Sequence, residues 1–297
     1  MKYWQLSILF FSFFIFNIGA QDNSWWNEKH QWDGVTPWNS YLIVSPAFMG
    51  PNALPVPEVQ KGILPGKRSF ELGMDGHYSK GDRTGNLFTE LFFPLFSERA
   101  GLAISYVPLE YYQTDTLTRD LRRSREYDAR GVSRGDFYFS TYIHLVKEHG
   151  WIPDILFTVN LKTASGTRFN AARHTDAPGY YFDFSAGKTI YTGDGNLRNI
   201  RAYAMSGLYV FQTNLGNYMQ NDAFQYGAGL DLDFGRLRMD HQLGGYAGYL
   251  GNGDKPMVYR MNLAWIQGSV MEMKLRFQQG FIDFPYSTLR LSTLIHF

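Results

Sequence analysis

The sequence predicts an all-β fold: a closed antiparallel transmembrane β-barrel of about twelve strands, preceded by an irregular N-terminal segment. Two observations support this prediction. Strand-like runs separated by Gly, Pro, Asn and Asp clusters fill residues 69–297, and the last runs alternate apolar with charged side chains at the period of a strand. A soluble sheet rarely carries Met, Leu and Phe opposite Glu, Lys and Arg over a whole strand. A barrel in a membrane does, because one face meets lipid and the other meets a watery lumen.

The C-terminal strands show this alternation most clearly. Leu275 and Phe277 alternate with Lys274 and Arg276, and the run that follows ends on Phe297. An amphipathic strand that closes on a terminal Phe resembles the C-terminal signature of bacterial outer-membrane β-barrel proteins, porin-like ones included. The resemblance implies residence in the bacterial outer membrane, contact with its lipids and insertion by the barrel-assembly machinery, with Phe297 as the assembly signal.

Residues 1–20 have the features of a secretory signal peptide. Lys2 supplies a short positive end, an apolar run follows, and Gly19 and Ala20 are small residues suited to cleavage. A membrane anchor is the alternative, but the apolar run is short against the roughly 20 residues that span a bilayer. We therefore expect an exported protein from which this segment is removed.

Residues 21–68 differ in composition from the strand-like runs. This segment contains four Trp residues and a Pro/Gly-rich run at 46–57. Pro fixes φ and removes ladder donors, so the segment is predicted to be irregular. A disordered leader is one interpretation, but so much apolar surface favours an ordered segment lying in or under the barrel.

Composition excludes several classes of site and partner. The chain has no Cys, so disulfides and thiolate metal sites are excluded. A formal net charge of +1 argues against nucleic acid as a partner. The sequence predicts no cofactor and leaves the oligomeric state open.

Three further structural expectations follow from the predicted strands. Pro108 is expected to mark a bulge, because the alternation of its strand changes register there. The run 200–213 has apolar residues on both sides, so neither face can be assigned to the lumen. The longest connections, 114–135 and 165–179, fall on the same predicted end of the barrel. The twelve predicted strands cover residues 70–78, 88–96, 102–113, 136–147, 154–164, 180–191, 200–213, 223–234, 237–250, 257–266, 270–282 and 288–297.

Alternation also predicts which charged side chains line the lumen. A basic arc is flanked by acidic residues on both sides, which is typical of a polar or ion-selective pore. The sequence therefore predicts a passive or gated channel for small hydrophilic solutes, with anions as candidates. The alternative is a structural or assembly-associated barrel filled by its own side chains. The basic residues are Arg260, Lys274, Arg276 and Arg290, and the acidic ones are Glu71, Asp75, Glu90, Asp231, Asp233, Asp240 and Glu272.

A second basic group is predicted in the long connection 114–135. Guanidinium groups at an outer rim can hold lipopolysaccharide phosphates or attract anionic solutes. The alternative is a solvated loop whose charges serve solubility. The residues concerned are Arg119, Arg122, Arg123 and Arg125.

The positions of His and Ser residues offer two candidate catalytic pairs. His77 stands two residues before Ser79, as in phospholipase-like and lipid A deacylase-like barrels, which the chain resembles in these residues alone. Ser140 and His144 share one predicted face, as a nucleophile and base require. Against the first pair, the predicted strand turns His77 into the lumen while Ser79 opens a turn.

Two other constellations are equally weak. The segments Asp75-Gly76-His77 and Asp231-Leu232-Asp233 resemble the paired acids and His of omptin-like proteases, but alternation and strand length place them at opposite ends of the barrel. His174 and Asp176 lie in a predicted loop, where such residues are usually solvated. Because no constellation is consistent, the sequence predicts no catalytic or metal site and no enzyme.

Overall fold

The computed structural model describes residues 22–95 and 99–297. The predicted signal peptide lies outside the described residues. The chain divides into two compact units, of which the first ends at Thr36 and the second spans Pro37–Phe297. In the first unit, helix α1 (Ser24–Lys29) is followed by a turn in which Asp33 accepts a hydrogen bond from the backbone N–H of Thr36 at 2.7 Å.

The second unit is a closed antiparallel barrel of twelve strands, as the alternation predicts. β1 pairs with β13 and β2 pairs with β3, which closes the ring; the short β4 pairs only with the outer part of β3. Helix α2 spans Thr116–Leu121, and 3-10 turns span Trp38–Tyr41 and Phe169–Ala171. The strands are β1 Ser69–Ser79, β2 Asp82–Pro94, β3 Ala100–Thr114, β4 Arg130–Ser133, β5 Tyr138–Val146, β6 Asp154–Lys162, β7 Gly179–Thr192, β8 Asn199–Leu215, β9 Tyr218–Asp233, β10 Leu237–Ala247, β11 Met257–Gln267, β12 Met271–Ile282 and β13 Ser287–His296.

The exterior of the barrel is apolar because alternate side chains point outward. In β13, Leu289 and Leu291 are 50% and 51% exposed, whereas Thr288 and Ser292 face inward and are buried. Exposed Leu at every second position of a paired strand is the pattern of a surface that contacts lipid. Among the described residues, no helix is long and apolar enough to cross a membrane.

The bulge predicted at Pro108 is present. Leu87 pairs with Leu109 and Thr89 pairs with Tyr106, so β3 carries one residue more than β2 over this interval. The extra residue shifts the alternation of β3, which is why its two halves could not share one register.

The two longest connections, residues 115–137 and 163–178, leave the same end of the barrel, which we call the outer end. β4 and α2 belong to the first of them. The other end, with turns such as 234–236, is the inner end. The outer connection between β8 and β9 is a tight turn at residues 216–217, because both strands extend further than the sequence predicts.

Residues 37–68, which we call the plug, run through the barrel from the outer end to the inner end. At the outer end, the ring of Trp38 lies 6.0 Å from that of Phe169 in the connection 163–178. At the inner end, Lys67 Nζ donates to the backbone oxygen of Ser269 at 3.2 Å. In between, the plug forms an apolar core with the wall; its buried residues are Leu42, Val44, Met49, Ala53, Leu54 and Val56.

The plug explains why β8 has no recognisable face in the sequence. Tyr209 and Phe211 point inward and are buried in the core that the plug forms, and Tyr203 packs on Val59 of the plug. The outward residues of β8 meet lipid and the inward ones meet an apolar part of the plug, so both faces are apolar.

Candidate functional site

The plug meets the basic side of the lumen through its backbone. Arg260 on β11 donates from Nη1 to the oxygen of Pro57 at 2.9 Å and from Nη2 to that of Val56 at 2.5 Å. Arg276 on β12 donates to the carboxylate of Glu58 at 2.7 Å. Two residues of the predicted basic arc are therefore satisfied by the plug and not by acids of the wall.

The plug also meets the acidic side of the lumen. Lys61 Nζ lies 3.2 Å from Asp231 and 3.5 Å from Asp240 on the neighbouring strands β9 and β10. Arg201 on β8 donates to the backbone oxygen of Lys61 at 3.0 Å. Residues 56–61 of the plug thus carry acceptors that face arginines of the wall and a lysine that faces acids of the wall.

Glycines in the wall let the plug approach closely. A Cβ at Gly227 would lie 2.4 Å from Cγ2 of Val59, and a Cβ at Gly187 would lie 2.0 Å from the oxygen of Lys61. Gly244 offers a slightly wider position, where a Cβ would lie 3.0 Å from Val59. A side chain at Gly187 or Gly227 would force the plug from the wall.

The other predicted lumen cations are paired within the wall. Lys274 lies 2.6 Å from Glu71, and Arg290 lies 2.5 Å from Asp75. Glu90 stands directly opposite Glu71 in the β1–β2 register. The positive charges of Lys274 and Arg290 are therefore largely neutralised by Glu71 and Asp75.

The remaining predicted acids lie toward the inner end. Glu272 accepts from His296 at 3.0 Å, and Asp233 lies 3.9 Å from Arg238. Asp240 is held by Tyr203 on the adjacent part of the wall. Glu272 and Asp233 therefore pair with basic groups of the wall, whereas Asp240 also lies 3.5 Å from Lys61 of the plug.

A buried ionic cluster lies in the outer half of the lumen. Arg122 lies 2.6 Å from Asp82, and Arg173 lies 2.7 Å from Asp82 and 2.9 Å from Glu110. The hydroxyl of Tyr286 donates to Asp82 at 2.7 Å. The two arginines come from the two long outer connections, so the cluster ties both connections to the wall.

The same cluster holds the plug. Asn52 donates to Glu110 at 2.6 Å, and the hydroxyl oxygen of Tyr286 lies 3.3 Å from the oxygen of Met49. The backbone N–H of Gly50 donates to the oxygen of Ala172 at 2.8 Å. The outer connections, the wall and the plug are therefore joined through a few shared side chains.

The prediction that the basic residues of the connection 114–135 form a rim is wrong for Arg122 and Arg119. Arg122 is 3% exposed inside the ionic cluster, and Arg119 is 9% exposed with its guanidinium 2.8 Å from Asp120. Arg125 lies over a Trp ring of the plug, 5.4 Å from its centroid. The connection folds into the mouth, where a guanidinium loses water and requires acceptors or a ring face. Arg123 is exposed at the mouth.

A cavity of about 580 Å³ opens at the outer mouth beside the plug. Its walls are residues 40–48 of the plug and three outer connections, and Arg123 and Asp283 line it. It is large enough to hold a small solute.

The candidate catalytic pairs are held in other contacts. Both ring nitrogens of His77 are engaged, with Thr288 at 2.8 Å and Asn86 at 2.7 Å. Ser79 donates to the backbone oxygen of Asp82 at 3.5 Å. The structure therefore does not bring the hydroxyl of Ser79 to the imidazole of His77.

Ser140 and His144, the second candidate pair, also contact other residues and not each other. Ser140 donates to Asn160, whereas His144 contacts Asp154 at 2.8 Å. His174, expected to be solvated, is fully buried with Nε2 3.6 Å from Glu110, because its loop folds into the mouth.

The other constellations are not assembled either. The segment 75–77 lies in the outer half of β1 and the segment 231–233 at the inner end of β9. Across residues 22–95 and 99–297, no group of three His, Asp or Glu residues is arranged to hold a metal ion.

Sequence reasoning missed the residues that build the ionic cluster. Asp82 falls in the predicted connection between residues 78 and 88, and Arg173 falls in the predicted connection 165–179. Glu110 lies beyond the bulge that obscures the register of β3. One signal was available for Glu110, because applying the bulge at Pro108 turns it inward. No such signal in the sequence identified Arg173, because its contacts depend on how a long connection folds.

No protein-family model and no curated protein matches the sequence. Among solved structures, the chain is similar to the COG4313 outer membrane channel from Pseudomonas putida F1, at 12% identity and a TM-score of 0.54, covering 82% of this chain and 100% of that one. A KdgM porin gives 10% identity and a TM-score of 0.45, covering 76% and 99%. The translocator domain of the autotransporter NalP from Neisseria meningitidis gives 12% and 0.41, covering 79% and 89%.

At such identities the likeness concerns the fold. The closed barrel, the apolar exterior and the closing strand agree with that likeness. We conclude that the chain folds as a bacterial outer-membrane β-barrel.

Proposed function

We propose that the protein is a gated outer-membrane channel for small hydrophilic solutes, anions among them, and that the plug closes it in the conformation described. The observation that carries this proposal is the contact of the plug with the basic arc. Carbonyl oxygens of Val56 and Pro57 occupy Arg260, and the carboxylate of Glu58 occupies Arg276. These plug oxygens stand where the oxygens of a passing anion would bind.

Displacement of the plug changes the charge of the lumen in a defined way. Arg260 and Arg276 would lose their plug acceptors, while Lys274 and Arg290 would keep their wall acids. Two guanidinium groups on adjacent strands would then face water in a narrow lumen, where low-dielectric walls focus their field. Asp231 would lose Lys61 on another side of the lumen, so the open lumen would have a basic side and an acidic side.

A second candidate is a structural barrel whose lumen stays filled. The buried ionic cluster and the apolar core of the plug favour it, because both would be lost on opening. The inner contacts favour the gate, because Lys61, Glu58 and Arg276 are 26%, 45% and 20% exposed and so already reach water.

The two functions can be separated by locking the plug to the wall. The chain has no Cys, so the pair Val59→Cys and Gly244→Cys would introduce the only thiols, at a position where a wall Cβ lies 3.0 Å from Val59. Such proximity suits a disulfide. The measurement is single-channel conductance in planar bilayers before and after reduction, with Val59→Cys alone as the control.

A gated channel is expected to conduct in the reduced form and to fall silent when oxidised, while the control conducts under both conditions. Silence of all forms up to the voltage at which the bilayer fails would favour the filled barrel. If the reduced form conducts, Arg260→Gln with Arg276→Gln should lower its anion-to-cation permeability ratio, measured as a reversal potential in a salt gradient. An unchanged ratio would contradict the role of the basic arc.

A further inference from the structure

Three arginines lie on the outside of the barrel near one another: Arg83 and Arg130 at the outer ends of β2 and β4, and Arg134 just past the inner end of β4. Arg83 pairs with Gln113 across β2 and β3, and Gln113 pairs with Arg130 across β3 and β4. All three are exposed, while the residues next to Arg83 along β2 are buried on the lumen side. Arg134 follows β4 and is exposed on the same side as Arg130 and Val132. We call Arg83, Arg130 and Arg134 the basic row.

The register brings these side chains within reach of one ligand. Residues opposite each other in an antiparallel pair have Cβ atoms about 4.5–5.5 Å apart. Arg83 and Arg130 therefore begin about 10 Å apart, with Gln113 between them. Both side chains are long enough to converge on a group the size of a phosphate.

Arg83 and Arg130 lie at the outer edge of the apolar exterior, and Arg134 lies on the inner side of Val132. One step toward the inner end, Tyr111 and Val132 pair with each other and are 53% and 48% exposed. Below them the rings of Tyr106 and Phe137 stack at 4.0 Å. Aromatic residues of this kind mark the membrane interface of a barrel. Arg83 and Arg130 are therefore placed at the height of lipid headgroups.

The arginines of the basic row also differ from the nearby Arg122 and Arg173 in their ion pairs. Within the part of the chain that the structure describes, Arg83, Arg130 and Arg134 make no ion pair. Arg122 and Arg173, by contrast, are buried against carboxylates. Three guanidinium groups that no acid neutralises create a local concentration of positive charge, which favours the binding of a multivalent anion.

We propose that the basic row binds the phosphate groups of an outer-leaflet lipid, lipopolysaccharide, whose acyl chains then lie along Tyr111 and Val132. The lipid is favoured over a soluble anion because the phosphate site and the apolar surface are continuous. Guanidinium forks bind phosphate oxygens in pairs, and apolar side chains directly below accept the acyl chains. This surface is separate from the lumen, so the inference does not depend on the proposed channel.

The test is native mass spectrometry of the full-length protein in detergent with diphosphorylated lipid A. The triple change Arg83→Gln, Arg130→Gln and Arg134→Gln should lower the bound fraction, with the dissociation constant rising about tenfold or more. The matched control is Arg236→Gln with Lys255→Gln, two exposed cations elsewhere on the barrel, and it should bind as the unchanged protein does. Bound lipid should also decrease as salt increases.

A single change keeps the proposal testable if the triple variant does not fold. Gln113→Glu places a carboxylate between Arg83 and Arg130 and should weaken lipid A binding without removing any arginine. Heat-modifiable migration on a gel verifies that each variant is folded. Equal binding by the folded variants and the unchanged protein would overturn the proposal. So would equal binding of lipid A without phosphates, or full displacement of lipid A by inorganic phosphate at millimolar concentration, which would indicate an anion site only.

Discussion

Arg173 offers a strong test of the structure because it is fully buried between two carboxylates. It donates to Asp82 at 2.7 Å, to Glu110 at 2.9 Å and to Thr84 at 2.8 Å. Arg173→Met would leave Asp82 with the guanidinium of Arg122 alone and Glu110 buried with no guanidinium beside it. Removing one partner of a buried ion pair typically costs 3–5 kcal/mol, so we expect a loss of about 4 kcal/mol in the free energy of unfolding.

The assay is urea unfolding of the protein in lipid vesicles, followed by Trp fluorescence. Arg168→Met is the matched control, since Arg168 lies in the same connection, is 46% exposed and reaches Glu126 only at 3.4 Å. A pair of that kind contributes at most about 1 kcal/mol. Adding Glu110→Gln to Arg173→Met restores one carboxylate to one guanidinium, so the double variant should regain much of the stability lost.

Two outcomes would refute this reasoning. The first is a cost for Arg173→Met no larger than that for Arg168→Met. The second is further destabilisation on adding Glu110→Gln, which would mean that the carboxylate of Glu110 is satisfied without Arg173 and that charge balance does not govern the cluster.

Three other outcomes are expected. Leu275→Arg, on the lipid face, should cost roughly 2–4 kcal/mol in the same unfolding assay, whereas the inward Lys274→Arg should cost far less; equal costs would show that the register is wrong. Phe297→Asp should reduce the yield of heat-modifiable barrel in outer-membrane fractions, and an unchanged yield would remove its role as an assembly signal. Burial raises the pKa of Glu148, but the Thr189 N–H and nearby cations outweigh it and hold the pKa below its usual range. Glu148→Gln should therefore lower the melting temperature at neutral pH, and the difference should shrink as the pH falls through the lowered pKa of the folded protein and vanish at still lower pH, where the carboxylate is protonated; a difference that persisted there would contradict this.

The sequence predicts the barrel well because lipid imposes the same condition on every strand. Alternation in β12 and β13 identifies the outward residues, and Pro108 identifies the bulge that changes the register of β3. β8 shows where this approach stops. Its inward Tyr209 and Phe211 contact the plug, and alternation alone cannot distinguish an apolar plug from lipid.

The site was predictable only in part, for a related reason. Alternation finds Arg260 and Arg276 in the lumen, but not that the plug oxygens occupy them, because those contacts join residues more than two hundred positions apart. Arg122 was predicted at a rim and lies in the interior. The fold of a long connection depends on the partners it meets, here Asp82 and Tyr286, and neither is near it in the sequence.

The path of the plug constrains the order in which the molecule can be assembled. The plug precedes β1 in the chain, and its last residue, Arg68, accepts a hydrogen bond from the N–H of Phe297 at the seam where β1 and β13 meet. A ring that closed first would leave residues 37–68 outside, and they could enter only by threading a free end lengthwise through a narrow tube. Closure around a chain already in place avoids that step. Pairing of β1 with β13 is therefore expected to come last and to capture the plug, so a variant with weakened plug contacts should accumulate as an unclosed sheet on the pathway of insertion.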